Sequence, residues 1–74
     1  MEDARESRRL GSVRLGPGSE IDPAAIVGFL SPRRGVSEEL TIGDGARVRS
    51  GTVVYAGSTI GAGLETGHNV VIRE

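Results

Sequence analysis

The 74-residue chain contains no cysteine, no tryptophan and no lysine, and its only aromatic rings are those of Phe29 and Tyr55. Without cysteine there is neither a disulfide framework nor a thiolate metal site to staple a small fold. With so few rings, any core must be built from Val, Ile, Leu and Ala. At this length that core is below the size that comfortably offsets chain entropy. Charge of one sign is also missing: ten acids face nine arginines, for a net charge of −1. No bulk field therefore draws the chain to nucleic acid or to an anionic lipid surface. No apolar run approaches the ~20 residues of a membrane span. The opening "MEDARESRRLGS" lacks the apolar stretch of a secretory signal. These absences predict a soluble cytoplasmic protein with no nucleic-acid partner and no membrane span.

Glycine, by contrast, is abundant, with twelve residues in 74. Such a content suits either a flexible linker or a fold that needs positive φ at regular intervals, and spacing decides between them. From Ile42 the chain divides into sixes: IGDGAR, VRSGTV, VYAGST, IGAGLE, TGHNVV, IRE. First positions hold Ile42, Val48, Val54, Ile60, Thr66 and Ile72. Fourth positions hold Gly45, Gly51, Gly57, Gly63 and Asn69, the residue types that enter the left-handed region most cheaply. Period six does not keep to one face of a helix. The turns also recur too often for a hairpin of ordinary strands.

The pattern predicts an all-β fold, a left-handed parallel β-helix. Three sixes close one coil of 18 residues, and about three coils stack as parallel strands. A fainter copy of the register opens at Leu15, Ile21 and Val27. It then breaks off into "GFLSPRRGVSEELT", so that nine extra residues are looped out before Ile42. The expected organisation is a polar N-terminal segment over 1–14 and coils over 15–74, with a loop excursion near 29–41. Positions 18 apart then become neighbours: Arg47 beside Glu65, Val53 beside Val71, Ser50 beside His68, Gly51 beside Asn69. The outward Val53/Val71 pair, flanked by Tyr55, reads either as scattered surface residues or as a face covered by another subunit.

The run "SGTVVYAGSTIG…TGHNVVIRE" resembles the hexapeptide-repeat acyltransferases, and within them the bacterial nucleotide-sugar N- and O-acetyltransferases. The resemblance covers Ile21 to Glu74 and matches the N-terminal part of such an enzyme. It implies a homotrimer joined through β-helix faces, for which Val53, Tyr55 and Val71 are candidates. It implies acetyl-CoA as acyl donor and a sugar amine or hydroxyl as acceptor. It also implies His68 and Asn69 as the catalytic positions. The chemistry is consistent: imidazole is a proton acceptor that works near neutrality, and an amide can donate to a tetrahedral oxyanion. Because the family's enzymes run to more coils, the 74 residues are expected to form an incomplete, inactive domain on their own. The same coils also occur as non-catalytic oligomerisation modules, which is the second expectation.

Each candidate has a plainer reading beside it. His68 sits at a bend, where a solvated turn residue is equally at home. Asn69 fills a slot that Gly fills elsewhere. Arg33 and Arg34 in "SPRRG" suit a diphosphate or a solvated loop. "GDG" at Gly43–Gly45 lacks the helix and lysine of a phosphate loop. One His with scattered Asp44 and Glu65 does not make a metal site, and the three-histidine zinc centre of γ-type carbonic anhydrases does not fit one histidine per chain.

Overall fold

A computed structural model describes residues 10–74. It is all-β, with no helix among the described residues, and its strands pair in parallel in three small sheets. The strands are β1 (Ser12–Leu15), β2 (Glu20–Ile21), β3 (Ile26–Phe29), β4 (Glu39–Ile42), β5 (Arg47–Val48), β6 (Val53–Tyr55), β7 (Thr59–Ile60) and β8 (Val71–Ile72). The first sheet has the order β1-β4-β7, the second β2-β5 and the third β3-β6-β8. The chain therefore visits the three sheets in turn and returns one rung higher each time. A single parallel bridge between Arg47 and Glu65 adds a third rung to the second sheet. Residues 1–9, most of the polar N-terminal segment, lie outside the described residues, and β1 begins at Ser12.

Registers give the repeat length. Thr41 pairs with Thr59 and Val53 with Val71, a step of 18 residues. Ser12 pairs with Glu39, Glu20 with Arg47 and Ile26 with Val53, a step of 27. The difference of nine arises between Val27 and Thr41, a stretch that holds the connection from Leu30 to Glu38 and faces the much shorter stretch from Val54 to Thr59. On its near side the β3–β6 register shifts by one residue between Val27 and Phe29, a β-bulge at Gly28, before the chain leaves the sheet.

The bends between strands follow from backbone sterics. Gly45, Gly51, Gly57 and Gly63 have φ of 71, 75, 100 and 83°, and Asn69 follows at 59°. This is the left-handed region, where a Cβ costs roughly 1–2 kcal/mol and Asn is the most tolerant non-glycine residue. Ala24 occupies the same place one rung down. Here Asp22 holds the turn, its Oδ1 accepting from Ala24 N–H at 2.8 Å and its carbonyl from Ala25 N–H at 2.8 Å.

Core burial peaks in the middle rung. Ile42, Val48 and Val54, all first positions, are buried together with Leu40, Ala46 and Ala56. Their counterparts above, Ile60, Leu64 and Ile72, are only partly buried, and Leu15 below is 43% exposed. A middle side chain is covered from both sides along the stack, whereas an outer one is covered from one side. Full burial of such a side chain contributes about 1.5–3 kcal/mol, so stability concentrates in residues 40–56.

Candidate functional site

His68 lies in the corner between the second and third sheets, where the segments 49–52 and 66–70 run one above the other. Gly51 and Asn69 bend in the same sense, so the two turns nest. Asn69 N–H donates to the Ser50 carbonyl at 3.0 Å, and Gly51 N–H donates to the Ala24 carbonyl at 3.2 Å. The fit is close: a Cβ at Gly51 would lie 1.8 Å from Asn69 Oδ1. Gly51 is thus required both by its φ and by the side chain above it.

Thr52 braces this corner from inside. It is the one fully buried polar residue among the described residues. Its hydroxyl donates to the Gly67 carbonyl at 3.0 Å and accepts from Val70 N–H at 3.3 Å. Thr66 Oγ1 accepts from Arg49 N–H at 3.0 Å and lies 3.4 Å from Thr52 Oγ1, so its proton can complete the set. No buried side-chain polar atom is left unpartnered among the described residues. The backbone on both sides of His68 is thereby pinned to the rung beneath it.

The side chains on the outside of the corner are polar and accessible. His68 and Asn69 are exposed and Ser50 is half-buried. Ser50 Oγ lies 2.8 Å from His68 Nδ1, a hydrogen bond in either tautomer. The outer ring nitrogen of His68 and the Asn69 amide have no hydrogen-bond partner among the described residues. The corner can therefore present a proton acceptor and an amide donor side by side. Sequence spacing had placed Ser50 next to His68. Thr52 is not singled out by spacing, because a threonine beside a bend shows its role only once its partners in the rung above are known.

The second sheet carries a shallow concavity of about 150 Å³ lined by Glu20, Ile21, Asp22, Arg47, Val48 and Arg49. It reaches the His68 corner only through Arg49. Arg47 stands beside Glu65 in the backbone register, but its guanidinium pairs with Glu20 on the opposite side. Both partners are exposed, so the pair is worth at most about 1 kcal/mol.

On the outer face of the third sheet, Ile26, Val53 and Val71 form one column. Val71 is 58% exposed, while Val53 is half-buried. Tyr55 is engaged within the chain: its ring centroid is 5.1 Å from that of Phe29, and the Arg73 guanidinium lies 4.6 Å over it.

Beyond Tyr55, the connection between β3 and β4 is tied to Glu74. Ser31 Oγ donates to Glu74 Oε2 at 2.6 Å, and Arg33 Nη1 and Arg73 Nε each lie 3.5 Å from its carboxylate. The Ser31 hydrogen bond first, then Glu74's own backbone, Arg73 and Arg33 hold this carboxyl below its ordinary range, against the opposing effect of desolvation. Arg33 is therefore turned toward Glu74, and Arg34 is exposed. No three His, Cys, Asp or Glu side chains converge as a metal-binding group among the described residues. No helix of the described residues is long and apolar enough to cross a membrane.

No family model, no curated protein and no solved structure matches the chain.

Proposed function

We propose that this chain is a left-handed parallel β-helix of the hexapeptide-repeat type and that it serves acyl transfer. An acetyl group passes from acetyl-CoA to the amine or hydroxyl of a sugar, taken here as a nucleotide sugar, with His68 as general base. The cyclic order of the sheets, the recurring six-residue bends and the 18-residue registers support the coil. The activity rests on one observation: His68 stands at an exposed, braced corner with Ser50 on Nδ1 and its outer nitrogen unpartnered.

The acyl donor supplies an activated thioester. His68 takes the proton of the attacking amine or hydroxyl as the new C–N or C–O bond forms. It returns that proton to the departing thiolate as the C–S bond breaks. The Asn69 amide donates to the oxyanion or orients the acceptor.

The test incubates the chain with acetyl-CoA and a panel of amino- and hydroxyl-bearing nucleotide sugars while free thiol is followed, and release by the 74 residues would also overturn the expectation that they are inactive on their own. His68→Ala is expected to lower thiol release about 10²–10⁴-fold with the melting temperature unchanged. Equal release by wild type and variant sinks the reading.

The Ile26–Val53–Val71 column favours a second reading, a homotrimerisation module that performs no chemistry itself. It would assemble through a face that includes Val53, Val71 and the rim of Tyr55. Under that reading, multi-angle light scattering gives a trimer that Val71→Arg splits to monomers, and no thiol is released by either.

A further inference from the structure

We infer that Arg49 is a specificity-determining residue whose guanidinium holds the diphosphate of a reactant beside the His68 corner. The inference rests on the acyl-transfer reading of that corner and adds what the reading lacks, a group that grips the charged end of a nucleotide sugar or of the acyl donor.

The arginines differ in what they touch. Arg47 pairs with Glu20, while Arg33 and Arg73 both reach Glu74. The guanidiniums of Arg14, Arg34 and Arg49 have no partner among the described residues. Of these three, only Arg49 lines the concavity of about 150 Å³ on the second sheet. Only Arg49 adjoins Ser50, whose hydroxyl touches the His68 ring.

Arg49 lacks a partner for a structural reason. Ile21 pairs with Val48, so Asp22 comes to lie beside Arg49 in the rung below. That carboxylate is committed elsewhere: its Oδ1 accepts from Ala24 N–H at 2.8 Å and closes the turn that takes the place of a glycine bend. The second acid of the concavity, Glu20, is taken by Arg47. The main chain of Arg49 is fixed, its N–H donating to Thr66 Oγ1 at 3.0 Å and its carbonyl accepting from Thr52 N–H at 3.3 Å. Its side chain therefore leaves the sheet from a rigid point, with a charge that no described residue uses.

A guanidinium presents its N–H groups as a planar fork that matches two oxygens of a phosphate. Glu20 and Asp22 balance Arg47 and Arg49 in charge, so the concavity does not gather anions of every kind. Recognition falls to the one open fork, at Arg49, which favours a phosphate able to take two N–H donors over a monatomic anion. A nucleotide sugar whose amine or hydroxyl stands at His68 can extend its diphosphate along the second sheet to Arg49. The diphosphate of acetyl-CoA offers the same chemistry.

The chain is titrated with inorganic pyrophosphate at about 0.15 M salt and followed through its backbone amides in ¹H–¹⁵N spectra. Saturable shifts are expected at residues 47–49, with affinity about 10-fold lower in Arg49→Gln and unchanged in Arg34→Gln. Shifts that spare 47–49, or an equal loss in the two variants, overturn the inference. Thiol-release kinetics identify the source of the diphosphate. Arg49→Gln should raise KM about 10-fold with kcat and the melting temperature unchanged, the mark of binding shared by ground and transition states. A rise confined to the nucleotide sugar assigns the diphosphate to the acceptor, and one confined to acetyl-CoA assigns it to the donor. No rise for either overturns the inference. If pyrophosphate binds through Arg49 but no thiol is released, the acyl-transfer reading fails while the assignment of Arg49 to a diphosphate stands.

Discussion

The bends at Gly45 and Gly63 and those at Gly51 and Asn69 use one backbone device, with φ of 71 and 83° in the first pair and 75 and 59° in the second. In the first pair the rungs are joined by main chain: Gly63 N–H donates to the Asp44 carbonyl at 2.9 Å. No side chain crowds the turn, and a Cβ at Gly45 or Gly63 would meet nothing within 4 Å. In the second pair the same main-chain link is overlaid by Thr52, Thr66, Ser50, His68 and Asn69. Ala46 stands in the first corner where Thr52 stands in the second. The bend itself is therefore generic, and what sets one corner apart is the side chains stacked on it.

Substitutions can test that contrast. Thr52→Val keeps the shape but leaves the Gly67 carbonyl and Val70 N–H without their hydroxyl partner. It should cost about 1–3 kcal/mol in urea unfolding. Loss of under a few tenths would mean the corner is held by main chain alone, as at Gly45.

Gly45→Ala and Gly51→Ala each force an L-residue to positive φ, at about 1–2 kcal/mol. Gly51→Ala should cost more, because it must also displace the Asn69 amide. Equal melting temperatures for the two variants would erase the distinction between the corners. Asn69→Gly separates the two roles of that residue. Stability should hold or rise by under about 1 kcal/mol, while thiol release falls. Unchanged release would leave Asn69 with the bend alone.

The smallest effect belongs to the third corner, where Ser31 and Glu74 meet. The depressed carboxyl of Glu74 contributes stability that is present above the ordinary carboxylate pKa and is lost as pH falls through its lower folded value. The amides between Ser31 and Ser37 should then exchange with deuterium faster than their intrinsic rates predict as pH falls, and Glu74→Gln should remove that pH dependence. Protection independent of both pH and Glu74 would show that the tether does not hold this segment.

Much of this arrangement can be read from residue types and spacing. Gly and Asn at every sixth place locate the bends, because only those residues enter the left-handed region cheaply. The nine-residue surplus before Ile42 locates the excursion. Pairs 18 apart, including Ser50 with His68, follow by arithmetic. Thr52 was hidden because Thr, Ala and Ser are interchangeable by size at that position. A hydroxyl there gains meaning only when the next rung offers it an N–H, as Ser19 does one rung lower by accepting from Ala46 N–H at 3.0 Å. Arg47 has Glu20 on one side and Glu65 on the other, and spacing alone does not choose between them. The strand at Ser12–Leu15 starts ahead of the apolar register, at residues exposed on an outer rung whose pairing is with Glu39–Ile42.

The sequence by itself determined where this chain bends and which side chains point inward, since both are decided within a few residues by backbone sterics and apolar spacing. Tertiary structure alone decided which rungs are fully buried, which acid Arg47 pairs with, that Tyr55 is taken by Phe29 and Arg73, and that Thr52 braces the His68 corner. Those outcomes depend on groups 15 to 27 residues away being brought into contact, and stacking, not local preference, brings them there.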